Sequence, residues 1–185
     1  MPSPTAHKAL IAGNITNNLD EELIGTQNVD GQLLEWTGSP NYDQQFVRVI
    51  NGGTANALAA GDLIGDGIVD VAFVGQPDVI GIMTGSLAGL QDSSRRFGRG
   101  IVADDLQLAD FDGDGRLDIA VLYRNAQSEP RLKLLTRIIG GLVEQDITPE
   151  GNPQSFAAGD LNGDGRADLL LVPGSQGGVG LLLSQ

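Results

Sequence analysis

The sequence predicts an all-β protein made of repeated units, and three observations carry that prediction. Glycine is abundant, with 27 in 185 residues, while aromatic residues make up 4% and no long helical periodicity is present. That composition favours turns and short strands, since average glycine usage is roughly 7%. One motif recurs as AGDLIGDGIVDVAFVG from Ala60, LADFDGDGRLDIAVLY from Leu108 and AGDLNGDGRADLLLVP from Ala158, with a worn copy, AGNITNNLDEELIG, from Ala12. The leading loop positions, Asn14, Asp62, Asp110 and Asp160, stand 48, 48 and 50 residues apart. A near-constant period of about 50 with strand-like content marks propeller blades, each blade a small sheet. The expected fold is a β-propeller of about four blades of four antiparallel strands, a single domain over 1–185 with repeats near 8–55, 56–104, 105–153 and 154–185.

Each unit opens on a strand of small residues: Ala57–Gly61, Leu106–Ala109 and Phe156–Gly159. Small side chains suit an innermost strand, where blades converge. The Asp/Gly loop follows, and then a strand rich in aliphatic residues: Asp70–Val74, Asp118–Tyr123 and Asp168–Val172. A turn marked by Gly or Pro leads to a third strand, Val79–Met83, Arg131–Arg137 and Gly178–Leu183. For a fourth strand the best candidates are Phe46–Ile50 and Leu142–Ile147. The last unit shows no fourth strand after Leu183, and an open edge invites pairing. The ring is expected to close imperfectly, to be completed by self-association through that edge, or to continue in a longer parent chain.

The loops carry the chemistry. In DFDGDGRLD, carboxylates stand at positions 1, 3, 5 and 9: Asp110, Asp112, Asp114 and Asp118. Arg116, at position 7, can offer its backbone carbonyl. Calcium takes six to eight oxygens, and a sharp turn at Gly brings alternate residues round one centre. Four carboxylates in nine residues repel one another unless a cation sits among them. The loop DLNGDGRAD repeats the pattern with Asp160, Asn162, Asp164, the carbonyl of Arg166, and Asp168. DLIGDGIVD keeps Asp62, Asp66 and Asp70, with the Ile68 carbonyl at position 7, but has Ile64 at position 3. Two calcium ions are expected, with a weaker third at Asp62. NITNNLDEE has Leu19 where Gly belongs and is expected to have lost its site. Tight Asp-Gly turns without metal would explain one such loop, but three copies in register favour the cation. Helix-flanked calcium loops need an acidic ligand at position 12. Here that position is Phe73, Val121 and Leu171, inside apolar strand patterns.

These units resemble FG-GAP repeats, also called VCBS-type repeats, of integrin alpha-subunit propellers, some lectins and many secreted bacterial proteins. The match is close from Leu108 to Tyr123 and from Ala158 to Val172, and looser from Ala60 to Gly75. The resemblance implies a β-propeller with calcium between the first two strands of a blade. It also implies an extracellular or cell-surface setting, although MPSPTAHKALIAGN is not the pattern of a signal peptide.

Composition narrows the partners. A formal charge of −13 argues against nucleic acid, whose phosphates need a basic face. The longest apolar runs are far too short to insert in a membrane. No cysteine is present, and the one histidine, His7, lies in a stretch that looks loose. No hydrolase elbow, nucleotide loop or zinc motif is found. Ten Asp residues are taken up by the cation loops, while Asp20 to Glu22, Asp104, Asp105 and Glu144 are expected to be solvated loop charges. Trp36, Tyr42 and Tyr123 are the aromatic candidates for a sugar platform, with Trp36 expected to pack in the core. The expected function is a non-catalytic interaction or adhesion module with a protein or glycan ligand. A lectin-like propeller is the alternative, and a hydrolase or lyase propeller a distant third.

Overall fold

Strand-forming aliphatic runs interrupted by Asp/Gly turns fold into short antiparallel hairpins, and these hairpins build four sheets. The computed structural model describes residues 10–16, 20–26, 32–37, 44–49, 55–75, 79–97, 102–136, 141–174 and 179–183. The first sheet is β1 (Leu10–Gly13), β2 (Glu22–Thr26), β3 (Gln32–Thr37) and β4 (Gln44–Val49), paired in that order. The second is β5 (Ala55–Gly61), β6 (Asp70–Gly75), β7 (Val79–Thr84) and β8 (Gln91–Phe97). The third is β9 (Val102–Ala109), β10 (Asp118–Arg124), β11 (Pro130–Thr136) and β12 (Val143–Ile147), and the fourth is β13 (Pro153–Gly159), β14 (Asp168–Pro173) and β15 (Gly180–Leu182). Every pairing is antiparallel between sequence neighbours, the meander of a propeller blade.

The chain divides into two compact units, Met1–Gly100 with the first two sheets and Ile101–Gln185 with the last two. In each unit one sheet lies on the next. Strand alternation gives each sheet two faces, and within each unit the rear face of the leading sheet meets the front face of the following one. In the first unit Ile24 and Leu33, on the rear of the first sheet, bury against Leu58, Val71 and Phe73 on the front of the second. In the second unit Ala120, Leu122 and Leu132 take the rear position, and Phe156, Leu169 and Leu171 the front.

Several sequence expectations meet the structure here. The all-β, blade-like architecture is the one expected, and β4 and β12 lie where fourth strands were sought. The polar stretch QDSSRRF shows no apolar alternation, yet it pairs with β7 as β8. Backbone pairing with β7 places it, helped by the Ser93 hydroxyl donating to the Ile82 carbonyl and by the Arg96 guanidinium over the Phe73 ring. His7, Tyr42, Arg137 and Gly178 lie outside the described residues. Asp104 and Asp105 are not loop charges: both stand in β9. Asp104 pairs with Arg124 at 2.8 Å, and Asp105 accepts the backbone N–H of Phe156, 3.1 Å away in the next sheet. Glu144 stands in β12 and pairs with Lys133. Trp36 is half-buried, its ring lying against Gly25 of the neighbouring strand.

A polar group decorates the front face of the third sheet. Lys133 on β11 donates to Glu144 at 3.2 Å and to Asp146 at 3.1 Å, and the Tyr123 hydroxyl donates to Asp146 at 3.1 Å. Burial raises the Tyr123 pKa above its ordinary value, and the charge and hydrogen bond of Asp146 push the same way. In a Tyr42→Phe background, ultraviolet titration is expected to show Tyr123 ionising above the usual tyrosine range. Asp146→Asn should bring that midpoint down; an unmoved midpoint would argue against the bond.

Candidate metal centre

Three loops share one frame, set by two carboxylates and two glycines. The position-1 carboxylate faces inward and collects backbone N–H groups from its own loop. Asp110 accepts from Gly113 (2.7 Å), Asp114 (3.2 Å) and Gly115 (2.8 Å). Asp62 accepts from Gly65 (2.7 Å), Asp66 (3.1 Å) and Gly67 (2.8 Å), and Asp160 from Gly163 (2.6 Å), Asp164 (3.2 Å) and Gly165 (2.9 Å). The position-5 carboxylate accepts the N–H of position 7 at 2.9 Å in all three: Asp66 from Ile68, Asp114 from Arg116 and Asp164 from Arg166. Such a tight coil needs the left-handed region twice, at positions 4 and 6. Gly65, Gly67, Gly113, Gly115, Gly163 and Gly165 all have φ between 77° and 86°. The Gly-x-Gly spacing of the sequence marks position 4 as well as position 6.

The position-9 carboxylate is the buried member. Asp70, Asp118 and Asp168 are at most 1% exposed. Each accepts the N–H of position 2: Leu63 at 2.8 Å, Phe111 at 3.0 Å and Leu161 at 2.9 Å. Asp70 also accepts from Ile64 and from Gly85 of the following turn. Burial raises the Asp70 pKa, and these backbone bonds offset part of that rise.

Among the described residues, the loop at Asn14 keeps this closure. Glu22 occupies position 9, is buried, and accepts from Ile15 N–H at 2.9 Å and from the Thr16 hydroxyl. Glu22 is therefore a buried brace and not a solvated loop charge. Removing it strands the buried Ile15 N–H, which costs about 1–3 kcal/mol. Glu22→Ala should therefore lower the urea midpoint, and by the same amount with calcium or with chelator.

The loops also join one sheet to the next. The N–H of position 8 donates to the position-1 carbonyl of the preceding loop: Val69 to Asn14 at 3.2 Å in the first unit, and Ala167 to Asp110 at 2.7 Å in the second. In the second unit the Arg166 side chain also lies along Gly113, so the Asp160 loop brings a positive charge beside the acidic Asp110 loop. Asp112 and Arg166 line a cavity of about 390 Å³ together with Phe111, Leu134, Gln145 and Ile147.

The structure brings some expected ligands together more closely than others. Asp110, Asp112 and Asp118 place carboxylate oxygens within 4.8 Å of one another, the one such acidic group among the described residues. Asp114 is not among these three. In the Asp160 loop, Asn162 accepts the Asp164 N–H at 2.8 Å and turns its amide to the Asp164 carboxylate at 2.9 Å. In the Asp62 loop, Ile64 supplies no side-chain oxygen. The donors at Asp110 are all hard oxygens, the set a calcium-sized cation takes.

Residues 110–171 match the family model described as an FG-GAP-like repeat. That stretch covers the Asp110 and Asp160 loops, and the Asp62 and Asn14 loops lie outside it. A search of curated proteins found no match.

Proposed function

We propose that these FG-GAP-like repeats form a calcium-stabilised, non-catalytic interaction or adhesion module of the extracellular space or cell surface. The observation that carries the reading is the convergence of Asp110, Asp112 and Asp118 within 4.8 Å. Asp110, Asp112, Asp114 and Asp118, with the Arg116 carbonyl, would hold one ion. Asp160, Asn162, Asp164 and Asp168, with the Arg166 carbonyl, would hold a second. Asp62, Asp66 and Asp70, with the Ile68 carbonyl, would hold a weaker third. Calcium there supplies charge neutralisation and ties the ends of the two strands flanking the loop. The buried position-9 carboxylate and the position-1 cradle already orient those strands, which supports a structural rather than a reactive role. The partner would be a protein or a glycan, met by loops away from the acidic ones, because connecting loops vary without disturbing the sheets. The ring of the half-buried Trp36 lies against Gly25, which supports packing over a sugar platform.

Native mass spectrometry tests the metal reading. The chain is expected to carry two calcium ions, and a third at higher calcium, with dissociation constants of roughly 10⁻⁴–10⁻³ M or tighter. EDTA should remove them. A chain that gains no mass at millimolar calcium would overturn the proposal.

A further inference from the structure

Within the second unit, one residue of the Asp160 loop serves two loops at once. At position 7, Arg166 donates its backbone N–H to the Asp164 carboxylate of its own loop at 2.9 Å. Its side chain leaves that loop and runs along Gly113 of the Asp110 loop. A β-carbon built on Gly113 would stand 3.1 Å from Nε and 3.2 Å from Cγ of Arg166. The next residue anchors the stem, because the Ala167 N–H donates to the Asp110 carbonyl at 2.7 Å. Arg166 is half-buried there and lines the same cavity as Asp112. Gly113 itself donates to the Asp110 carboxylate at 2.7 Å, so the guanidinium flanks the loop in which Asp110, Asp112 and Asp118 converge.

The junction inside the first unit offers a comparison. Val69 donates to the Asn14 carbonyl as Ala167 donates to that of Asp110. There the leading loop has no carboxylate at positions 1 to 5, and the residue at position 7 of the following loop is Ile68. In the second unit the leading loop has carboxylates at positions 1, 3, 5 and 9, and the residue at position 7 of the following loop is Arg166. The cation stands at the junction whose leading loop is acidic.

We propose that Arg166 is the built-in counter-cation of the Asp110 loop. It offsets carboxylate repulsion when the loop holds no ion and opposes an incoming cation, so the Asp160 loop sets the calcium affinity of its neighbour. The side chain is a positioning and tuning group, not a ligand. Its effect on calcium rests on the metal reading above; its effect on the ion-free loop does not. One unit charge several ångströms from a divalent ion near a protein surface changes affinity by roughly three- to tenfold. Being electrostatic and partly solvated, the effect must weaken with salt.

Calcium titration calorimetry, with thermal melts in EDTA, tests Arg166→Gln in the full chain. Calcium binding at the Asp110 loop should tighten about three- to tenfold. The gain should shrink in about 1 M salt, where the screening length is roughly 3 Å. In EDTA the same variant should melt about 1–4 °C below wild type, and high salt should narrow that gap. Arg166→Lys, which keeps the charge, should stay near wild type in both measurements. In an Asp112→Ala background, Arg166→Gln should leave the remaining calcium affinity unchanged, which separates the Asp110 loop from Arg166's own loop. Arg131→Gln removes the same charge at the far end of the β10–β11 hairpin and should keep the wild-type calcium affinity. Calcium binding by Arg166→Gln that is unchanged or weaker would overturn the proposal, as would a gain undiminished by salt or shared by Arg131→Gln. A wild-type chain that binds no calcium would remove the metal reading instead. The EDTA melts then decide alone: a salt-sensitive loss in Arg166→Gln upholds the counter-cation, and a wild-type melting temperature ends it.

Discussion

Chelation is expected to lower the melting temperature by roughly 5–10 °C for each calcium site saturated beforehand. A ligand at a hundred times its dissociation constant stabilises the folded state by about 2.7 kcal/mol. For a chain of this size, 1 kcal/mol moves the midpoint by roughly 2–4 °C. Two variants separate the ion's contribution from that of the loop. Asp112 is a member of the acidic cluster and is only half-buried, so Asp112→Ala should abolish most of the calcium-dependent rise at that site. In chelator, the same variant should melt close to wild type. Asp118 is buried and holds the Phe111 N–H, so Asp118→Ala should also lose about 1–3 kcal/mol in chelator. Calorimetry with and without EDTA reads both. Identical curves for wild type in calcium and in EDTA would contradict the metal reading.

The same logic ranks the loops. Asp114 and Asp66 occupy equivalent positions, and each accepts one backbone N–H from two residues on. The Asp62 loop lacks the position-3 oxygen. Asp114→Ala should therefore lose more of the calcium-dependent stability than Asp66→Ala.

The acidic loops and the sheets they join were legible because their signals are local. A fixed spacing of Asp and Gly dictates a turn, and aliphatic alternation dictates a strand whose faces are both in demand. What stayed hidden depends on partners distant in sequence. Asp105 looks like any charged residue until the N–H of Phe156, 51 positions on, is seen to point at it. Glu22 looks like part of an acidic run, but the strand turns it inward, where only Ile15 and Thr16 can satisfy it. β8 carries no apolar signal of its own in QDSSRRF; Ser93 and Arg96 hold it through the Ile82 carbonyl and the Phe73 ring, partners on other strands.

Gly81→Ala is expected to destabilise the first unit by about 1–3 kcal/mol, although alanine is ordinarily the better strand residue. Gly81 pairs directly with Phe73, and a β-carbon built on it would overlap the Phe73 ring. That ring is 1% exposed, sits in the core between the first two sheets, and has the Arg96 guanidinium 5.2 Å from its centre. It cannot swing toward solvent without leaving its contacts with Val71 and Leu58 in that core, so the clash must be absorbed by the strand. Gly180 provides the control. It pairs with Leu171 in the fourth sheet, but its added β-carbon would meet that side chain at an ordinary 3.4 Å. Gly180→Ala should be near neutral, or stabilise by up to about 1 kcal/mol through the unfolded chain. Phe73→Leu removes the far edge of the ring, and its effect combined with Gly81→Ala should be less than the sum of the two alone. A coupling of about 0.5–3 kcal/mol in that double-mutant cycle locates the strain in the Phe73–Gly81 contact. Strict additivity in urea denaturation would place the cost elsewhere in the strand and remove the packing explanation for a glycine at this position.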